Sequence, residues 1–320
     1  ATAASTTGGG EAQKVAVLLP DTQSSVRWET ADRPLLQAAF DAAGVPVEIH
    51  NAQGDKSAQQ QQAEQAITNG AKILLLTNLD SGSGAAIQNL AAAKGVKVID
   101  YDRLTLNGKA DYYVSFDNVK VGELQGQGLV DCLEAAGVET PRVAVLNGSP
   151  DDNNATLFAQ GYNSVIDPKF ESGEWVEVAD QSVPDWDNQQ ALTIYEQMLQ
   201  KADNRIDGVL AANDGLANSV ISAQKARKLD PIPVTGQDAT LQGLQNILVG
   251  DQCMTVYKAI KAEAEAAAQL AIALSKGEEP PAGLVNGESD DGQRQVPSVL
   301  LTPVAVTKEN IAETVLADEF

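Results

Sequence analysis

Histidine is nearly absent from this chain, and His50 stands alone. Ser-His or Cys-His nucleophiles and most zinc sites are therefore excluded unless this one residue carries them, and a surface position after a strand is the expectation. Cysteine is as scarce. Cys132 and Cys253 are too few for a disulfide framework and lack metal-ligand spacing. A bridge between them requires Cα atoms within about 7 Å, which a sequence does not state, so two buried free thiols are the expected case. Basic residues number 22 against 44 acidic ones, and the formal charge of −22 repels phosphate backbones and anionic bilayers. Nucleic acid is not an expected partner. No apolar run reaches the roughly 18 to 20 residues that span a bilayer, and nothing at the start resembles a signal peptide.

What is present is ordinary for a soluble α/β protein of two domains: 320 residues, 43% hydrophobic, with aromatics at 4%. The opening ATAASTTGGG is small, polar and closed by glycines, which predicts a flexible spacer over 1–13. It reads as a frayed terminus or as the tether left once an export signal is cut away. Then strand-helix units follow one another. KVAVLLP at 14–20 is a buried-strand pattern, with Asp21, Arg27 and Trp28 in the loop after it. A helix over 34–43 ends at Gly44, and VPVEIH at 45–50 makes the next strand. The helix over 56–69 keeps Ala63, Ala66 and Ile67 on one face and leaves the glutamine run 59–62 to solvent. A strand at 73–77, a helix at 83–94 and a strand at 96–100 complete the series. Asn78, Asp80, Asp100, Asp102 and Arg103 follow strand ends, the edge of an open α/β sheet where ligands bind. Asp102 and Arg103 could pair with each other or offer acceptor and donor to a ligand.

At 112–128 the sequence YYVSFDNVKVGELQGQG packs a strand, a cap at Asp117 or Asn118, and a helix with Glu123 in its first turn into a crossover. A second series follows. NGSPDDNNATLF at 147–158 gathers Asp151, Asp152, Asn153 and Asn154 at a helix N-terminus, more short acceptors and amides than capping needs, and a plausible surface for hydroxyl groups. It lacks the spacing of a calcium loop, and no metal or cofactor is expected. Trp186 precedes a helix at 188–201. Further strands at 208–212, 232–235 and 254–256 end at Asn213 and Asp214, at Gly236 to Asp238, and at Tyr257 and Lys258. An Ala-rich helix at 259–276, an acidic loop at 277–292, a strand at 299–306 and a short terminal helix close the chain. The fold class is α/β with two lobes. They are expected to comprise 14–116 with 259–297, and 117–258 with 298–320, joined by three crossing segments that form a bending hinge.

The stretches RW at 27–28, YDR at 101–103, YVSFDNVKVGELQ, GSPDDNNA, AANDG, TGQDA, MTVYK and VPSVLLTPVAV resemble the periplasmic D-xylose-binding proteins of ABC importers. The likeness is collinear from about residue 14 to the end. It implies a type I solute-binding architecture of two flavodoxin-like lobes that close on a sugar, a motion described for such proteins generally. Carried over residue by residue, the sugar contacts are Arg27, Trp28 and Arg103 in one lobe and Asp152, Asn154, Trp186, Asn213, Asp238 and Lys258 in the other. Asp21 and Asp102 are weaker candidates, Asp102 as an orienter of Arg103. Acids, amides and cations all serve sugar hydroxyls, and pyranose C–H faces pack on aromatic rings. The partners implied are D-xylose, or another aldose such as glucose, ribose or arabinose, and the permease. A monomer outside the cytoplasm is implied, and the leader suits a lipid anchor on an upstream cysteine. The first loop, LLPDTQSSVRW, departs from the pattern. No enzyme is expected, because Asp151 and Asp152 are adjacent in one capping loop and poorly placed to flank a glycosidic bond. The effector domain of a sugar-responsive repressor would need a basic DNA-binding helix upstream, and a sensor feeding a receptor remains a rival.

Overall fold

The strands and helices follow from apolar runs bounded by residues that cap. In a computed structural model, which describes residues 11–319, the elements in chain order are as follows. They are β1 (Lys14–Leu19), α1 (Arg33–Ala43), β2 (Val47–Asn51), α2 (Lys56–Thr68), β3 (Ala71–Leu76), α3 (Ser81–Ala93), β4 (Lys97–Tyr101), β5 (Tyr112–Phe116), α4 (Asn118–Ala135), β6 (Arg142–Asn147), α5 (Asn153–Glu171) and β7 (Val176–Ser182). The chain continues through α6 (Asn188–Lys201), β8 (Gly208–Ala211), α7 (Asp214–Ala226), α8 (Leu241–Val249), β9 (Thr255–Tyr257), α9 (Ile260–Ser275), β10 (Gly287–Asp290), β11 (Gln295–Leu301), β12 (Val304–Val306) and α10 (Val315–Glu319). Residues 1–10 of the expected spacer lie outside the described residues.

Side chains of Asp55, Asp80, Asp117, Asp152, Asp187, Asn213 and Thr240 each accept a backbone N–H in the first turn of the helix they precede. The N-termini of these helices are therefore written into the sequence as single polar residues. At the other end of α1, Gly44 takes the left-handed conformation (φ 66°) that closes the helix.

The described residues form two units. One comprises the chain up to Thr22, Val26–Ser115 and Ile260–Leu300, and the other Gln23–Ser25, Phe116–Ala259 and Leu301 onward. In the first, the sheet order is β10-β11-β5-β4-β3-β1-β2. The pairs β1/β2, β1/β3, β3/β4 and β4/β5 are parallel, and β10/β11 is an antiparallel hairpin at the edge. Ala16, Leu18, Leu74, Leu76 and Val98 on the strands bury against Ala63, Ala66, Ile87 and Ala91 on α2 and α3. The alternate residues Val15, Val17, Leu19, Ile73, Leu75 and Ile99 are buried as well, and burial on both faces explains why these strands are continuous apolar runs. In the second unit, β7-β6-β8 is a parallel sheet and β12/β9 an antiparallel pair. There α4 and α5 approach backbone to backbone, because a Cβ at Gly122 would overlap the Phe158 carbonyl and one at Gly161 the Val119 carbonyl.

Several expectations are corrected. The strand expected at 232–235 is reduced to one bridge, Val234 to Val209, because Pro231 and Pro233 bring no N–H to a ladder. The strand expected at 299–306 is two, β11 and β12, broken at Pro303, and the loop at 277–292 contains β10. Glu123 sits in the second turn of α4, since Asp117 caps it. Gln59 is buried and donates to the Thr77 carbonyl at 2.8 Å, so the glutamine run is not wholly solvated. His50 lies within β2 and is half-buried. Cys132 and Cys253 are half-buried and form a disulfide, their Cα atoms 6.4 Å apart, in place of two buried thiols. They sit 121 residues apart in sequence, on α4 and just before β9, and the fold of the second unit supplies the proximity that the sequence does not state.

Candidate functional site

In the first unit, the polar residues gather at the C-terminal ends of β1, β3 and β4. Arg27 and Trp28 are not in an open loop: Trp28 begins a five-residue π-helical turn, Trp28–Asp32, that runs into α1. That turn brings Asp32 round to Arg27. Arg27 donates through Nε and Nη2 to both oxygens of Asp32 at 2.8 Å, through Nη1 to Asp102 at 2.9 Å, and through Nη2 to Glu263 of α9 at 2.6 Å. All four residues are buried. Burial alone would lower the Arg27 pKa, but Asp32, Glu263 and Asp102 outweigh it and hold the guanidinium charged well above its ordinary value. The hydroxyl of Tyr101 also donates to Asp32, and burial together with that carboxylate keeps the phenol neutral, its pKa raised.

Trp28 is buried with one guanidinium on its ring, Arg27 Cζ 4.5 Å from the centroid, and a second close by, Arg103 Cζ at 5.6 Å. Arg103 donates to the Asn78 carbonyl at 3.0 Å. Asp102, expected to orient Arg103, gives its carboxylate to Arg27, and its backbone occupies the left-handed region (φ 70°). That bend is held from behind. The Asp102 carbonyl accepts from Ser115 Oγ at 2.9 Å, and buried Asp100 accepts from Thr105 N–H at 2.7 Å, Thr105 Oγ1 at 2.9 Å and Gln88 Nε2 at 2.8 Å. Burial and nearby Asp291 push the Asp100 carboxyl up to about 7 against those hydrogen bonds. Asp21 lies at the margin of this group, its backbone carbonyl accepting from Asn51.

The second unit gathers the remaining candidates. Asp152 caps α5 with one oxygen (2.9 Å to Asn154 N–H) and accepts from Trp186 Nε1 with the other at 3.0 Å. Asn154 Oδ1 accepts from Asn118 Nδ2 at 3.1 Å. Trp186 ends a short turn in which Asp185 and Trp186 both have φ 55°, a strained pair for residues with side chains. Its indole lies flush on Gly148, where a Cβ would overlap the ring, and meets Phe158 edge to face at 6.3 Å. Lys258 is buried with Nζ 5.6 Å from the Phe158 ring, 5.9 Å from the Phe116 ring and 3.8 Å from Asp238. Asn213 spends Oδ1 on capping α7 at Leu216 N–H, 2.9 Å. Asp151 is exposed outside this group.

Arg27, Trp28, Asp102 and Arg103 are thus one cluster in the first unit. Asp152, Asn154 and Trp186 are joined by hydrogen bonds in the second, where Phe158 links Trp186 to Lys258 and Asp238. Sequence reasoning missed Asp32, Glu263, Phe116, Asn118 and Phe158. For Glu263 a signal existed: it occupies the same helical face as Ala266, Ala267 and Leu270, all buried, and a lone carboxylate on an apolar stripe calls for a buried partner. Phe116 and Phe158 read as core residues, and nothing in their spacing announces a neighbouring ammonium.

Comparison with known proteins gives a consistent picture. Residues 15–279 match the model of the periplasmic binding protein domain. The chain is 38% identical over 295 residues to the D-xylose-binding periplasmic protein of Escherichia coli, covering 92% of this chain and 87% of that one. It is 34% identical to the multiple sugar-binding periplasmic receptor of Rhizobium radiobacter, covering 92% and 87%. Among solved structures, a carbohydrate transporter solute-binding protein from Chloroflexus aurantiacus in complex with D-glucose superposes with a TM-score of 0.87 at 30% identity, covering 96% of each chain. Among the described residues no helix is long and apolar enough to cross a membrane, and no group of three or more metal-ligating side chains could hold an ion.

Proposed function

This chain belongs to the periplasmic binding protein family, and from that premise we propose that it is a non-catalytic binding protein for a neutral monosaccharide, D-xylose foremost, serving an ABC importer outside the cytoplasm. Sugar-binding relatives of this kind work beyond the cytoplasmic membrane. One observation carries the chemistry: each unit sets a buried tryptophan among charged groups that are themselves hydrogen-bonded. Trp28 lies beside Arg27 and Arg103, and Trp186 beside Asp152. An indole face packs against sugar C–H groups, while carboxylates, amides and cations around it serve hydroxyls that donate and accept at once.

The pairing also selects by charge. Arg27 is surrounded by three carboxylates and Lys258 lies 3.8 Å from Asp238, so neither of these two cations offers an anionic ligand an uncompensated charge. Sugar binding by population shift favours the conformation that the permease accepts. A second reading, another aldose or delivery to a sensory receptor, is supported by the D-glucose complex among the structural relatives and by the receptor among the sequence relatives. Titration calorimetry against D-xylose, D-glucose, D-ribose and L-arabinose, with Trp186→Ala as control, separates these. Strongest binding of xylose, lost in the variant, is expected; no heat with any of the four overturns the ligand class.

A further inference from the structure

Asp214 follows Asn213 at the end of β8, is buried, and has no place among the expected sugar contacts. Its carboxylate nevertheless gathers three separate segments. Oδ1 accepts from Gln252 Nε2 and from Thr255 Oγ1 of β9, each at 2.8 Å, and Oδ2 accepts from Thr240 N–H at 2.8 Å and Thr240 Oγ1 at 3.0 Å. The fit is close: a Cβ at Gly236 or at Gly243 would overlap this carboxylate. The Asp214 N–H donates in turn to the Gln237 carbonyl at 3.0 Å.

The two threonine hydroxyls act as relays. Because Thr255 Oγ1 donates to Asp214, it keeps lone pairs for the Ala239 N–H, which donates to it at 3.2 Å. Thr240 Oγ1 likewise donates to Asp214 and accepts the Gly243 N–H in the first turn of α8. Between these anchors lies a turn that the backbone does not favour: Asp238 has φ 96° and Ala239 φ 48°, neither with glycine's freedom. The turn presents Asp238 to Lys258, which follows β9 directly.

We propose that Asp214 is a positioning residue for sugar recognition: its ionised carboxylate, through Thr240 and Thr255, fixes the left-handed turn that aims Asp238 beside Lys258. The proposal rests on the reading of Asp238 and Lys258 as monosaccharide contacts. An asparagine at 214 brings an NH2 where only donors converge, so one relay must reverse or break. A proton on the carboxyl has the same effect, since all four acceptor directions are taken. Burial, and then Asp238, push this group up to about 7, so the loosened form is reached under mild acid. The charged neighbour is Asp238, with Lys258 3.8 Å from it; Asp251, next to Gln252 in sequence, is held by Lys225 at 2.5 Å, and Thr240, Gln252 and Thr255 are neutral.

The test has two arms. In the ligand-free protein, NMR titration of the Asp214 carboxyl and of the Asp238, Ala239 and Thr240 amides is expected to show one common midpoint. Asp238→Asn should move that midpoint down, and Asp214→Asn should abolish it while shifting the same amides. Amides that ignore Asp214→Asn overturn the proposal whether or not a sugar binds. In the second arm, calorimetry with D-xylose and D-glucose should show about tenfold weaker binding to Asp214→Asn and a smaller loss in the milder Thr240→Ala. The wild type should bind more tightly as pH rises through its midpoint, and Asp214→Asn should lose that slope. Wild-type affinity and slope in both variants overturn it. Absence of binding by the wild type condemns the proposed ligand class alone, and the amide titrations still decide the role of Asp214.

Discussion

The indole Nε1 of Trp186 donates to Asp152 at 3.0 Å while the face of the same ring rests on Gly148 with no room for a methyl group. One contact fixes the tilt of the ring and the other its depth, so the indole has a single seat. Gly148→Ala should therefore displace it without removing any group that could touch a ligand. We expect the variant to fold, to show altered tryptophan fluorescence, and to bind sugar at least tenfold more weakly, since misplacing a stacking ring forfeits contact across its whole face. Unaltered fluorescence with native affinity would show that the ring has a second seat.

Arg27 should prove as much a structural residue as a binding one. Its four bonds to Asp32, Asp102 and Glu263 are buried, and removing the guanidinium takes the counter-charge from three buried carboxylates. Breaking a buried ion pair from one side typically costs about 3–5 kcal/mol. Arg27→Met is expected to lower the urea midpoint accordingly, and Glu263→Gln added to it should recover part of the loss. If Arg27→Met unfolds at the wild-type midpoint, the cluster only breaks even.

Much of this was legible in the sequence because it is local. The cap at Asp117, the capping run at 151–154, the glycine stop at Gly44 and the apolar strand runs each depend on a few neighbouring residues. The failures have a common origin in distance or in context. Cys132 and Cys253 meet across 121 residues, and Glu263 meets Arg27 across 236, which no spacing rule reaches. Pro231 before the expected strand at 232–235 and Pro233 within it are local signals against a full strand. Trp28 and Trp186 could be named as candidates, but whether each had a hydrogen-bonded or cationic neighbour depended on turns, at 28–32 and 184–186, whose conformations are unusual for their residues.

The disulfide closes a long loop within the second unit, and cross-links of this kind contribute typically about 2–4 kcal/mol by restricting the unfolded chain. Its presence accords with a protein that works in an oxidising compartment. The denatured, unreduced protein should show no reactive thiol, and Cys132→Ser with Cys253→Ser should melt several degrees lower while sugar binding is retained, because neither cysteine touches the clusters described above. Two titratable thiols in protein isolated from its native compartment would refute the bridge.

Stability should depend on pH through Asp100 and Asp214. Both are buried carboxyls pushed up to about 7, Asp100 by burial and then Asp291, Asp214 by burial and then Asp238, whereas an ordinary aspartate titrates near 3.9. Between those limits the folded protein retains protons that the unfolded chain has released, so raising the pH through this window favours unfolding. Groups shifted the other way, Glu29 and Asp80, have lowered pKa values and give up their stabilisation only below the ordinary carboxylate range. The wild type is therefore expected to unfold at a higher urea concentration at about pH 5 than at about pH 8, and Asp100→Asn, which cannot titrate, should lose part of that slope. Sugar affinity should run in the opposite sense, tightening with pH as Asp214 ionises. A wild-type midpoint that is flat or rising across the same range would mean that neither carboxyl holds its proton in the folded state.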